Sequence, residues 1–180
     1  MADAFLSAGF TYFDTAACYH DGQSEIAFRE AVAKRYPRDA YTITDKLTMF
    51  MLETEEDMPG FFAGQLERLG VDFIDYYWLH GLDPNAYPKA QELHAFDFVR
   101  RLKEEGKVKH IGFSFHGDAK MLEEILTRYP YLEYVQIQLN YLDWEDPKVQ
   151  SRLCYETAAR HGKPVIVMEP VKGGCLASIP

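Results

Sequence analysis

At 180 residues with 47% hydrophobic content, the chain can bury a sizeable core, and its length fits a single domain. A formal net charge of −9 argues against nucleic acid or an anionic membrane surface as the main partner, and no apolar run reaches the roughly 20 residues needed to span a bilayer. The opening MADAFLSAG has no basic stretch before its apolar segment, so a secretory leader is not expected. Cys18, Cys154 and Cys175 are widely spaced without a CxxC pair, which speaks against a disulfide framework or a four-ligand metal cluster and suits a reducing, cytoplasmic setting.

Residues 1–8 read as the last turns of a helix, with Ala4, Phe5 and Ala8 on one face and Gly9 placed to end it. Phe10 to Phe13 suit a strand that closes at Asp14. Ser24 is expected to cap a helix running to Tyr36, which Pro37 ends. A strand at residues 41–44 leads to Lys46. Pro59 fits the first turn of the next helix, where Phe62, Leu66 and Leu69 recur at helical spacing before Gly70. Residues 71–79 form the most continuous apolar run, expected to be a strand covered on both faces, with Asp72 and Asp75 marking a less buried start. One helix is predicted from Lys89 to Glu105 and a strand at 108–113. A helix capped by Asp118 then runs to Arg128. A strand at 133–139, a helix opened by Asp146 and Pro147, and a strand at 164–168 complete the order, with loop from Glu169 onward.

Alternation of strand and helix calls for a parallel sheet with helices outside it. An open doubly wound sheet is the competing arrangement, but no strand is followed by GxGxxG and no GxxxxGK[ST] occurs. The fold class is therefore α/β, read as a (β/α)8 barrel of the TIM type. About six of its parallel strands are visible, roughly strands 2 to 7, in one domain over residues 1–180 that is shortened at both ends. On this reading the first and last strands are left as sheet edges.

Asp14, Lys46, His80 and Ser114 each follow a strand, at separations of 32, 34 and 34 residues, the size of one βα unit. In a parallel barrel such residues share the carboxyl-terminal rim, where these folds keep their chemistry. Tyr19 follows Asp14 by five residues in the loop. A tyrosine has a pKa of about 10 in water, too high for efficient proton transfer at pH 7. A lysine ammonium beside a phenol favours the phenolate, and an aspartate behind that lysine keeps it charged, so the phenol becomes a usable general acid. A histidine can orient a carbonyl by donating to its oxygen. Such a set suits reduction of an aldehyde or ketone, with hydride supplied by a nicotinamide. Each residue alone has a plain alternative: turn aspartate, solvated lysine, core histidine. The even spacing favours function. Cys18 lies next to Tyr19 but reads as a small loop residue. His20, His110 and His116 lack paired carboxylates at ligand spacing, so a metal site is not expected. Gly173 and Gly174 with Lys172 would let a phosphate approach, although a plain loop fits nearly as well.

These residues carry a family resemblance. GFTYFDTAACYHDGQSE at 9–25 resembles the GxxxFDTAxxYxxGxSE segment of aldo/keto reductases, and TDK at 44–46, WLH ending at His80 and GKVKHIGFS at 106–114 resemble its later segments. The resemblance implies the barrel, NADPH-dependent carbonyl reduction with NADH as the alternative donor, and a small-molecule carbonyl substrate. It places a catalytic tetrad on Tyr19, Lys46, Asp14 and His80. Ser114 and Gln136 fall where the family holds the nicotinamide carboxamide. Two departures stand out. Phe115 replaces the common Asn after that Ser. After the last strand, Met168, Glu169 and Pro170 replace a stacking aromatic, a role that Met168 or Pro170 would take. A non-catalytic nicotinamide-binding or protein-interaction barrel, or an inactive fragment of such an enzyme, is the competing reading.

Overall fold

Each strand of this chain hands over to a segment that turns back outside the sheet, so successive strands lie side by side. In the computed structural model, which describes residues 1–178, six strands form one sheet in chain order, β1 to β6. The pairings β1 with β2, β2 with β3, β4 with β5 and β5 with β6 are all parallel. The α/β class follows. Two compact units contribute: one comprises residues 1–80 and 88–111, the other residues 81–87 and 112 onward.

In the first unit, α1 (Ala2–Ser7) precedes β1 (Tyr12–Asp14). Phe5 joins them, its ring centroid 5.2 Å from that of Phe10 and 5.0 Å from that of Phe13. β1 is shorter than expected and starts two residues late. Helix α2 (Ser24–Phe28) continues as a π-helical turn, Arg29–Ala33. Ser24 does not cap it. The cap position is Gln23, and Ser24 Oγ instead accepts from Thr15 Oγ1 at 2.8 Å, a tie to the loop after β1. β2 spans Thr42–Leu47, so Lys46 lies within the strand rather than after it. Helix α3 (Asp57–Leu69) ends as read: Gly70 takes φ +68°, and its N–H donates to the Leu66 carbonyl at 2.9 Å.

β3 (Ile74–Leu82) starts three residues later and runs three further than the sequence suggested. The less buried start holds for Asp72, which is exposed and precedes the strand, but not for Asp75, whose side chain is only 4% exposed. Its carboxylate accepts from Ile43 N and Lys109 Nζ, each at 2.9 Å, and from Arg38 Nη2 at 2.6 Å. The helix expected from Lys89 to Glu105 is two helices, α4 (Ala86–Glu92) and α5 (Ala95–Glu104), divided where His94 takes φ +53°. The break lets each bury its own stripe, Ala90 on α4 and Phe96, Val99 and Leu102 on α5.

The sheet has two faces here, as period-2 alternation requires. Phe28 lies between Phe13 and Tyr41 at 5.5 and 5.4 Å, and Phe62 meets Tyr77 at 5.1 Å, so Phe13 and Tyr77 face the helices. On the other face Tyr76 contacts Tyr12, Trp78 and His110 at 5.0 to 5.7 Å, and this aromatic layer lies below the polar residues of the strand ends.

In the second unit, β4 (Val108–Phe115) finishes and leads to α6 (Ala119–Arg128), capped as read: Asp118 Oδ1 accepts from Met121 N at 2.8 Å. β5 (Tyr134–Gln138) follows. Helix α7 (Ser151–Arg160) begins later than the Asp146–Pro147 signal implied. Asp146 Oδ1 caps a turn instead, accepting from Lys148 N and Val149 N. Gln150, at φ +53°, then breaks the path. β6 (Val165–Met168) ends the strand order opposite β1, and both are more exposed than the strands between them. The stretch expected to be plain loop holds a 3-10 turn at Lys172–Gly174.

Candidate active site

Register decides which side chains meet at the end of the first unit's strands. Asp14 pairs with Thr44, and Lys46 pairs with Trp78. With period 2, Thr44, Lys46 and Thr48 share a face with Asp14 on one side and Tyr76, Trp78 and His80 on the other. Lys46 is fully enclosed, its side chain 1% exposed. Its ammonium donates to the Thr15 carbonyl at 2.7 Å and to Asp14 Oδ1. A buried cation needs such partners, because an unpaired one carries the full cost of leaving water.

Tyr19 reaches the same point from the loop. Its N–H donates to the Ala16 carbonyl at 3.0 Å, while its carbonyl accepts from Gly22 N and Ser24 N. The turn between them uses His20 and Asp21 at φ +50° and +53° and Gly22 at +80°. The Tyr19 ring centroid is then 4.7 Å from Lys46 Nζ and 5.7 Å from the His80 ring, which it meets edge-on at 81°. His80 Nδ1 is 2.9 Å from Thr48 Oγ1 and 3.9 Å from Cys18 Sγ. All four side chains of the expected tetrad therefore lie around one point of the first unit.

Several residues that hold this arrangement escaped the sequence. Thr15 supplies a carbonyl, invisible in any side-chain pattern. Gln65, fully buried on α3, donates to the Lys46 carbonyl at 3.0 Å and accepts from the Tyr77 hydroxyl at 2.5 Å. Asp45 Oδ1 accepts from Lys46 N at 2.8 Å, so the lysine backbone is gripped at both ends. Asp45 and Glu25 are both fully buried, and Glu25 pairs with Arg68. Burial, and then the negative charge of Glu25, holds the Asp45 carboxyl well above the usual carboxylate range. Thr48 did leave a signal, since it stands two residues after Lys46 on the same face.

The second unit carries the residues assigned to the nicotinamide. Ser114 and Gln136 are register partners on β4 and β5, 2% and 8% exposed. Ser114 Oγ accepts from Gly81 N at 2.7 Å, which leaves its own proton to donate elsewhere. A hydroxyl donor beside a side-chain amide is complementary to a carboxamide, so the donor set fits. Phe115 is buried, its ring centroid 6.1 Å from that of Phe113, and it offers no polar contact where the family commonly has Asn. Met168 ends β6 half-buried and Pro170 is exposed. Lys172 is engaged: its ammonium donates to Asp143 Oδ1 at 2.5 Å, and Asp143 Oδ2 also accepts from Gln138 and Asn140. These donors, Lys172 first, hold the Asp143 carboxyl below its ordinary value.

Known proteins share this plan. A model of the aldo/keto reductase family matches residues 1–178. An aldo-keto reductase of Strobilurus tenacellus is 32% identical over 98% of this chain and 51% of its own length. The NADH-specific methylglyoxal reductase of Escherichia coli is 28% identical over 97% of this chain and 57% of its own. The chain thus spans a little over half the length of these relatives. An aldo/keto reductase structure from Brucella melitensis superposes with a TM-score of 0.75 at 25% identity, covering 95% of this chain and 62% of that one. A Klebsiella pneumoniae aldo-keto reductase in complex with NADPH superposes at 0.74 and 24% identity, covering 97% and 58%. These neighbours are (β/α)8 barrels.

Proposed function

Because the chain belongs to the aldo/keto reductase family, we propose that it carries the proton-delivery site of an NAD(P)H-dependent oxidoreductase that reduces a small-molecule aldehyde or ketone to an alcohol. The observation that carries this reading is the buried Lys46 ammonium 4.7 Å from the Tyr19 ring, with Asp14 and the Thr15 carbonyl behind it. In that position the lysine stabilises negative charge on the phenolic oxygen as its proton leaves. Tyr19 gives that proton to the carbonyl oxygen of the substrate, where an alkoxide would otherwise form. His80, edge-on to Tyr19, donates to the same oxygen and fixes its direction. Asp14 neutralises Lys46 and keeps the ammonium in place.

A reduced nicotinamide, when bound, supplies the hydride. Ser114 and Gln136 are the residues proposed to hold its carboxamide, with Met168 and Pro170 flanking the ring. A role for Lys172 on a phosphate requires it to leave Asp143. NADPH is the proposed donor and NADH the alternative, as in the E. coli relative named for it. Three free thiols, Cys18, Cys154 and Cys175, suit a reducing cytoplasmic setting. Among the described residues no helix is long and apolar enough to cross a membrane.

The test is reduction of a panel of aldehydes and ketones, followed as oxidation of NADPH or NADH, in the parent and in Tyr19→Phe. Turnover that depends on Tyr19 supports the reading. Cofactor binding without turnover in the parent would instead identify a non-catalytic nicotinamide-binding protein.

A further inference from the structure

We infer that Thr48 is a positioning residue that fixes the tautomer of His80, holding Nδ1 as a hydrogen-bond acceptor and placing the imidazole proton on Nε2. Thr48 is 1% exposed, and its Oγ1 is 2.9 Å from His80 Nδ1. A hydroxyl proton out of reach of water needs an acceptor, because leaving it unmade costs the desolvation of that group. Among the described residues, Nδ1 is the one side-chain or backbone acceptor in hydrogen-bond contact with that hydroxyl. The Thr48 O–H therefore donates to Nδ1. A neutral imidazole that accepts at one nitrogen carries its proton on the other.

The second neighbour of Nδ1 agrees. Cys18 Sγ lies 3.9 Å away, and a thiol is a weak donor and a poorer acceptor, so it too favours an unprotonated Nδ1. The register produces this contact. With Thr44 opposite Tyr76 and Lys46 opposite Trp78, the next positions on the same face are Thr48 and His80. The residue that orders the histidine thus stands just past the end of the strand that carries the lysine, two residues beyond Lys46.

The functional consequence rests on the reductase reading. A substrate carbonyl beside Tyr19 needs a donor from His80, and the tautomer set by Thr48 makes Nε2 that donor without requiring an imidazolium. The tautomer itself is measurable with no cofactor or substrate, so failure of this inference and failure of the reductase reading are separable.

The experiment is a long-range proton–nitrogen NMR correlation on the ¹⁵N-histidine-labelled chain at pH 8, with His80 assigned by loss of its signals in His80→Asn. The parent is expected to show Nδ1 as an unprotonated, hydrogen-bonded nitrogen and Nε2 as protonated. In Thr48→Val, which keeps the shape and removes the hydroxyl, Nδ1 moves downfield toward the position of a free imine nitrogen. The tautomer ratio then falls by about fivefold to tenfold, the scale of one net hydrogen bond. Thr48→Ser restores the parent signals. A protonated Nδ1 in the parent overturns the inference even if the valine variant fails to fold. An Nδ1 resonance unmoved by Thr48→Val overturns it as well.

Discussion

Removing Asp14 strands a cation that the fold has buried. In Asp14→Ala the Lys46 side chain, 1% exposed, keeps the Thr15 carbonyl at 2.7 Å and the face of the Tyr19 ring but no counter-charge. Breaking a buried pair by deleting one partner costs about 3–5 kcal/mol. The Asp14 side chain is 29% exposed, so water enters the gap, and about 3 kcal/mol is the better figure. The opposite deletion is cheaper. Lys46→Met leaves an aspartate that solvent already reaches and one unpaired carbonyl, about 1–1.5 kcal/mol. The double variant removes both charges and is expected near the Lys46→Met value. The cycle should then show a coupling of about 3 kcal/mol, the full Asp14→Ala cost. Urea unfolding followed by circular dichroism at pH 7 measures it, with a fall in Tm of roughly 6–12 °C for Asp14→Ala as a second readout. If Asp14→Ala and the double variant are equally unstable, the pair is not holding a buried charge, and the electrostatic account of the site fails.

Tyr19→Phe should lower kcat for carbonyl reduction by at least about 10²-fold with cofactor affinity little changed, the scale of a lost general acid; near-parental rates would remove Tyr19 from the mechanism. Ser114→Ala should weaken nicotinamide binding by about 2- to 10-fold, one net hydrogen bond, read from cofactor fluorescence titration; unchanged affinity would place the carboxamide elsewhere. Asp75→Asn should destabilise the chain by about 2 kcal/mol at pH 7, because charged contacts to Arg38 and Lys109 are lost. Burial raises the Asp75 pKa, but the Ile43 N–H, Arg38 and Lys109 outweigh it and the net shift is downward. Its contribution is therefore present above the unfolded value near 3.8 and is lost as pH falls through the folded value. Parent and variant stabilities should converge at the acid end, and a difference independent of pH would refute the role.

What the sequence determined by itself was set by local chemistry and by period. The βα alternation, the stop at Gly70, the cap at Asp118, and the one-unit intervals between Asp14, Lys46 and His80 depend on residue type and spacing along the chain, although Lys46 and His80 lie within the last residues of their strands rather than after them. Tertiary contacts decided the rest. Asp75 reads as a polar interruption until Arg38, Lys109 and the Ile43 N–H close around it, and then the strand runs through it. Ser24 reads as a helix cap until Thr15 takes its hydroxyl. The helix read from Lys89 to Glu105 as one is divided where His94 takes φ +53°, and each part buries its own apolar residues. At the site, the residue types were legible, but the Thr15 carbonyl, the Gln65 amide and the Thr48 hydroxyl that aim them were not. Their roles come from register and from partners up to 32 positions away, a distance at which a hydrogen bond leaves no periodic trace in the chain.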